Sequence, residues 1–142
     1  MQIISGEQID NAVVPEFAVA AVEKSFEIYG SGAYKMPNRF QYTIGDVTLL
    51  YMPCFTDERF GTKILTLVPD NKDRGLPALD GIMLLNNRET GCVEAVLDAK
   101  ALTAWRTGAT GAMAAKLLAR DDAQALGVIG CGNQGLYQAI CI

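Results

Sequence analysis

Three cations in this chain have settings that charged side chains rarely choose. Lys63 lies in Gly61-Thr62-Lys63 and leads directly into the largely apolar run Ile64 to Val68. Arg106 lies in an Ala-rich stretch, within Trp105-Arg106-Thr107-Gly108, and Arg39 closes Met36-Pro37-Asn38-Arg39. A cation among apolar residues needs an anionic partner, supplied by the protein or by a ligand. Taken singly, each reads first as an ordinary paired or surface charge. The chain contains no histidine. That removes His-based triads, His-ligated metals and His as general acid or base from the chemistry these residues can build, and no metal site is expected.

The second candidate for chemistry is Gly130-Cys131-Gly132-Asn133-Gln134-Gly135, a Gly-x-Gly-x-x-Gly. The bare pattern arises often by chance. Its setting strengthens it, because an apolar run suited to a buried strand precedes it and a helical pattern follows, as a dinucleotide fingerprint requires. Gly130 serves the tight turn, Gly132 lets backbone approach a pyrophosphate, and Gly135 allows close helix–strand packing. The phosphates then sit at a helix N-terminus, where free N–H groups and the macrodipole favour anions.

The elements that must position these residues follow from periodicity. A helix is expected from about Pro15 to Tyr29, with Phe17, Ala21, Val22, Phe26 and Tyr29 on one face and Gly30 and Gly32 as its stop. Strands are expected at Val47–Met52, Thr62–Val68 and Leu79–Leu85, with a hairpin turn at 86–91 leading into Cys92–Leu97. This is an α+β unit with a mostly antiparallel sheet. Asp98 is the expected N-cap of a long helix reaching Arg120, within which Gly108 and Gly111 permit close approach of a neighbouring backbone. Ala125 to Ile129 reads as a strand of a parallel sheet and Leu136 to Ile142 as the start of a helix. The expected organisation is therefore an α+β unit over residues 1–120, followed at 121–142 by the first βα unit of an α/β Rossmann domain. The acidic ribose reader of that domain falls roughly 20 residues past the glycines, so the chain is expected to be the N-terminal part of a longer protein.

Composition narrows the function classes. The chain has 142 residues and a net charge of -4, a poor balance for gripping nucleic acid. No apolar run approaches the roughly 18 residues of a membrane helix, and the first ten residues lack the pattern of a signal peptide. The four cysteines at 54, 92, 131 and 141 form no Cys-x-x-Cys pair, and free thiols in a reducing cytoplasm are expected.

The ordered set Met36-Pro37-Asn38-Arg39, Tyr51-Met52-Pro53, Gly61-Thr62-Lys63, Pro69-Asp70-Asn71, Arg74-Gly75-Leu76-Pro77, Glu89-Thr90-Gly91, Arg106-Thr107-Gly108-Ala109 and Gly130-Cys131-Gly132-Asn133-Gln134 resembles the ornithine cyclodeaminase/mu-crystallin family along essentially the whole chain. That family includes archaeal-type alanine dehydrogenases and ketimine or pyrroline-2-carboxylate reductases. The resemblance implies a homodimer whose N-terminal α+β domain carries the dimer interface and substrate pocket, joined to a Rossmann domain binding NAD(H) or NADP(H). It matches Arg39, Lys63 and Arg106 to substrate-carboxylate positions, with Lys63 catalytic. It matches Arg106, Thr107, Gly130, Gly132, Asn133, Gln134 and Gly135 to the cofactor. The family's catalytic aspartate belongs to a later part of such proteins. The chemistry is consistent with this, since a guanidinium is the bidentate partner of a carboxylate and a buried lysine is a tunable acid near a carbonyl or imine.

Two positions depart from the family pattern. Leu50 stands where ornithine-acting members tend to carry an acid, and Ala78 where a threonine lies on the nicotinamide side. The wording at Arg106 to Ala109 and Gly130 to Gly132 looks more like the alanine dehydrogenase branch. The implied activity is hydride transfer at the α-carbon of a small amino acid, of alanine dehydrogenase or imine reductase type, or else cyclisation of ornithine to proline with loss of ammonia. The alternative is a mu-crystallin-like binding protein that keeps the cofactor fold without turnover.

Overall fold

The computed structural model describes residues 1–142. Its elements are β1 (Gln2–Ile4), α1 (Gly6–Ala12), α2 (Pro15–Ser31), β2 (Phe40–Ile44), β3 (Val47–Phe55), β4 (Arg59–Leu67), a 3-10 turn (Pro69–Arg74), β5 (Leu79–Asn87), β6 (Val93–Asp98), α3 (Ala99–Leu118) and α4 (Asn133–Cys141). The six strands form one sheet in the order β1-β6-β5-β4-β3-β2. Every neighbouring pair is antiparallel except β1 with β6. The α+β architecture thus follows the expectation, with three short elements added. One of these, α1, opens with a capping box in which Ser5 and Gln8 each receive the other's backbone N–H. That Ser-x-x-Gln spacing is its sequence signal. The other two, β1 and β2, are edge strands of three and five residues, too short to announce themselves by alternation.

Side chains alternate faces along each strand, so burial identifies the covered side of the sheet. Leu65 on β4 and Ala95 on β6 are 4% and 7% exposed, and the register places both on the same face. Helix α3 lies over that face. Asp98 caps it as expected, its Oδ1 accepting the N–H groups of Lys100 and Ala101. Its inner surface is built from small residues, with Ala99, Ala104, Ala109 and Ala112 buried. Small side chains let α2 approach closely. The buried stripe of α2 is Ala18 and Val22, packed on Ala109; of the expected face Val22 is buried, while Phe17, Phe26 and Tyr29 are half or more exposed. The apolar period was right, but α3 takes the side of α2 that carries its smaller residues.

The opposite face of the sheet has no layer over it. Ile3, Phe40, Tyr42, Ile44, Tyr51 and Ile82 stand exposed there. After α3, residues 119–132 form neither helix nor strand, including Ala125 to Ile129. The expected strand is absent because strand structure exists only through ladder hydrogen bonds to a neighbour, and residues 125–129 form no ladder with another segment. Gly108 and Gly111 do what was expected of them. A Cβ at Gly108 would overlap the carbonyl of Tyr137, and one at Gly111 the side-chain amide of Gln138, so α4 lies directly on α3.

Candidate functional site

Lys63 is central to β4, opposite Met52 on β3 and Met83 on β5. It shares the parity of the buried Leu65, so it points to the covered face, toward α3. Arg106 projects from α3 on that side. Arg39 arrives by a different route. Lys35 exchanges both backbone hydrogen bonds with Phe55, and Phe40 pairs with Tyr51. The segment 36–39 therefore spans the gap between two fixed points on the edge of β3. Pro53 faces that gap, where a strand needs no donor. The three expected substrate residues thus converge from a loop, a strand and a helix.

Electrostatics shows the convergence. Lys63 is half-buried, and its ammonium is held below the ordinary lysine range by burial first, then by the positive charges of Arg106 and Arg39. None of the three makes an ion pair, although eight pairs exist elsewhere in the chain. Leu50 and Met52 lie beside Lys63 on the same face of the sheet. The arrangement is a cluster of unopposed positive charge with apolar neighbours, fitted to a small organic anion.

The glycine turn gives each glycine a distinct steric reason. Gly130 has φ +98, a conformation that side chains resist. A Cβ at Gly135 would overlap the carbonyl of Gly130, so the helix start closes tightly on the turn. Gly132 has open space around it, and it is the N-cap of α4, with no side chain capping the helix. Asn133 and Gln134 occupy the first turn of α4 and line a cavity of about 620 Å³ shared with Pro77, Ala78 and Thr103. The Thr103 hydroxyl is buried without a hydrogen-bond partner, an unusual state for a buried polar atom. Open space at Gly132 and an uncapped helix end fit a phosphate at the glycine turn itself, while the adjoining cavity carries Lys100 and the acids Glu7, Asp10 and Asp98.

Thr107 is placed differently from its neighbour Arg106. Its hydroxyl donates to the Thr103 carbonyl at 2.6 Å, and its carbonyl accepts from Gln138 Nε2 at 3.4 Å. It therefore stands at the α3–α4 contact. The three cations are not among the residues lining the cavity; α3 carries both regions, with Thr103 on the cavity and Arg106 at the cation cluster. Sequence reasoning missed a further polar group here. Asp10 Oδ1 accepts from Trp105 Nε1 at 2.8 Å and from the Tyr137 hydroxyl at 3.0 Å. Trp105 and Tyr137 meet edge-to-face with ring centroids 5.2 Å apart. Nothing in the local pattern around Asp10 signals this contact between distant parts of the chain.

Comparison with known proteins agrees with this geometry. The model described as the ornithine cyclodeaminase/mu-crystallin family matches residues 3–142. The chain is 38% identical over 136 residues to an alanine dehydrogenase of Archaeoglobus fulgidus, covering 96% of this chain and 42% of that protein. Among solved structures, it superposes with TM-score 0.92 on an archaeal alanine dehydrogenase dimer with bound NAD, at 37% identity, covering 98% of this chain and 43% of that one. A Thermococcus litoralis Delta(1)-pyrroline-2-carboxylate reductase, in complex with NADH and L-proline, superposes with TM-score 0.91 at 31% identity, covering 98% and 44%. The chain thus spans less than half the length of each relative.

Proposed function

This chain belongs to the ornithine cyclodeaminase/mu-crystallin family, and we propose that it forms the substrate-gripping part of an NAD(P)-dependent enzyme acting at the α-carbon of a small amino acid. Residues 1–120 are the substrate-binding and dimerisation part, and residues 121–142 open the NAD(P)-binding Rossmann part. The observation that carries this reading is the half-buried Lys63 on the covered face of the sheet, under the positive charges of Arg106 and Arg39 and with none of the three in an ion pair. An α-imino or α-keto acid supplies the missing anion. Its carboxylate is held by the guanidiniums, and the Lys63 ammonium stands beside the reacting carbon–nitrogen or carbon–oxygen bond, able to donate a hydrogen bond or a proton.

The nicotinamide cofactor, when bound, supplies or accepts the hydride. Gly130, Gly132, Asn133, Gln134 and Gly135 receive its pyrophosphate, with Arg106 and Thr107 on the α3 side. In the reductive direction the α-carbon gains hydride and the nitrogen gains a proton, leaving an amino acid. A second copy covers the apolar outer face of the sheet at Phe40, Tyr42 and Tyr51, forming a homodimer, and the four free cysteines suit the cytoplasm.

Steady-state assays of the full-length protein test the reading. Oxidation of alanine with NAD(P)+, or reduction of pyruvate with ammonia or of pyrroline-2-carboxylate with NAD(P)H, is expected, and should be lost in Lys63→Met. Dinucleotide binding with no turnover of any of these substrates would instead identify a mu-crystallin-like binding protein.

A further inference from the structure

Helix α1 lies at one end of the chain and α4 at the other, yet they share a carboxylate oxygen. The hydrogen bond from Tyr137 to Asp10 spans 127 residues of sequence, and that from Trp105 to Asp10 spans 95. Both donors converge on the same atom, Oδ1, so three helices are tied at one point. Tyr137 lies one turn into α4, whose first residues are Asn133 and Gln134. Trp105 is the residue before Arg106. Asp10, Tyr137, Asn133 and Gln134 line the same cavity. Where the Tyr137 ring sits therefore sets where the glycine turn stands relative to α3.

Gly108 and Gly111 make the α3–α4 contact close, and Trp105 meets Tyr137 edge-to-face across it. The polar contact from α4 to α3 is the long bond of 3.4 Å from Gln138 to the Thr107 carbonyl. The two hydrogen bonds to one oxygen of Asp10 add the directional part of the register, fixing the orientation of both rings. We propose that Asp10 is a positioning residue, a latch that holds Tyr137 and Trp105 and so fixes the glycine turn at the distance from Arg106 that dinucleotide binding needs. The proposal rests on the reading of Gly130 to Gly135 as a dinucleotide turn.

Because one oxygen accepts both bonds, an amide oxygen in its place suffices, and charge is not required. Asp10→Asn should therefore behave as wild type, while Asp10→Ala and Tyr137→Phe should not. Trp105 is the only tryptophan of these 142 residues, and the difference in emission between wild type and each Asp10 variant reports the latch without cofactor or turnover. In the full-length protein, Asp10→Ala should change Trp105 emission and weaken NADH or NADPH binding roughly threefold to tenfold. Asp10→Asn should stay within about twofold of wild type, and Asp10→Ala combined with Tyr137→Phe should lose no more than Asp10→Ala alone. The loss should appear in cofactor affinity and be rescued in Asp10→Asn, which separates positioning from general destabilisation. Should Asp10→Ala fail to fold, Tyr137→Phe removes one hydroxyl and carries the same comparison.

Unchanged dinucleotide affinity in Asp10→Ala and Tyr137→Phe, or equal weakening in Asp10→Asn, overturns the latch. If the wild type binds neither dinucleotide, the functional reading falls. The latch is then judged by amide hydrogen exchange across 133–141: faster exchange in Asp10→Ala but not in Asp10→Asn upholds it, and unchanged exchange overturns it.

Discussion

Lys63 on β4 lies within the electrostatic reach of Arg106 on α3, and the guanidinium adds to burial in lowering the proton affinity of the ammonium. Like charges brought together in a half-buried place oppose folding rather than support it. Such an arrangement persists when something else benefits from it, and functional sites are where perturbed ionisation collects. The nearest residues in register with Lys63 are Met52 and Met83, which offer no counter-charge. No carboxylate of these 142 residues pairs with Lys63 or Arg106.

The first prediction concerns pH. Lys63 loses its proton below the ordinary lysine value of 10.5. A carboxylate ligand favours the ammonium, so affinity for pyruvate should be full at neutral pH and fall as pH rises through the depressed value, with proton uptake on binding there. Because the folded pKa lies below the unfolded one, protonated Lys63 costs stability at neutral pH. That cost is relieved as pH rises from the folded toward the unfolded pKa. Calorimetric titration of pyruvate across the alkaline range checks this, and Lys63→Arg should flatten the profile, since a guanidinium does not titrate there.

The second prediction sets Gly108 against Gly111. Alanine gains about 1 kcal/mol of helix propensity at either position. At Gly108 the new methyl meets the Tyr137 carbonyl, which is backbone, while at Gly111 it meets the end of the Gln138 side chain, which can swing away. Gly108→Ala should lose about 1–2 kcal/mol net, because overpacking against a fixed wall exceeds the propensity gain. Gly111→Ala should be close to neutral. Denaturant unfolding of the two variants distinguishes them.

The third prediction separates two glycines of the turn. Gly132 has a negative φ of -75 and open space beyond its Cα, so Gly132→Val should fold normally yet abolish NAD(P)H binding, its side chain filling the room a pyrophosphate needs. Gly135→Ala meets the Gly130 carbonyl and should lower Tm as well. Cofactor fluorescence titration alongside thermal unfolding reads both; wild-type affinity in Gly132→Val would sink the assignment of the turn.

How far the sequence carried these conclusions depends on the range of the interaction involved. Local signals were legible. Asp98 as an N-cap, Pro15 at a helix start, the turn after Asn87 and the roles of Gly108 and Gly111 each depend on a few neighbouring residues or on side-chain size alone. Lys63 and Arg106 stood out as candidates because a charge inside an apolar or Ala-rich run is anomalous wherever the run folds. The buried side of α2 was legible only at Val22, since Phe17 and Ala18 are adjacent and only the surface of α3 decides between them. Asp10 was invisible for the same reason: its partners lie 95 and 127 residues away, and an aspartate on a short surface helix is unremarkable until the partners arrive. The strand expected at Ala125 to Ile129 needs a neighbour that local pattern cannot supply.

The last prediction concerns substrate choice. Leu50 lies on the same face as Lys63, one pair along the β3–β4 ladder, where it opposes Leu65, while Met52 directly opposes Lys63. The side-chain end of the site is therefore aliphatic as well as positively charged. Ornithine would bring a second ammonium into this place, where no acid meets it, and an unpaired buried cation beside three others is strongly disfavoured. A small apolar amino or keto acid, or a cyclic imine acid, brings the carboxylate alone. In the full-length enzyme kcat/KM should therefore favour alanine, pyruvate with ammonia, or pyrroline-2-carboxylate over ornithine by at least about tenfold. Arg39→Ala should cost roughly 2–4 kcal/mol in transition-state binding, because the carboxylate is then held with too few partners. Steady-state assays with the four substrates decide the matter. Efficient conversion of ornithine to proline, with the others left untouched, would refute the argument from Leu50 and make the protein an ornithine cyclodeaminase that holds the distal amine by other means.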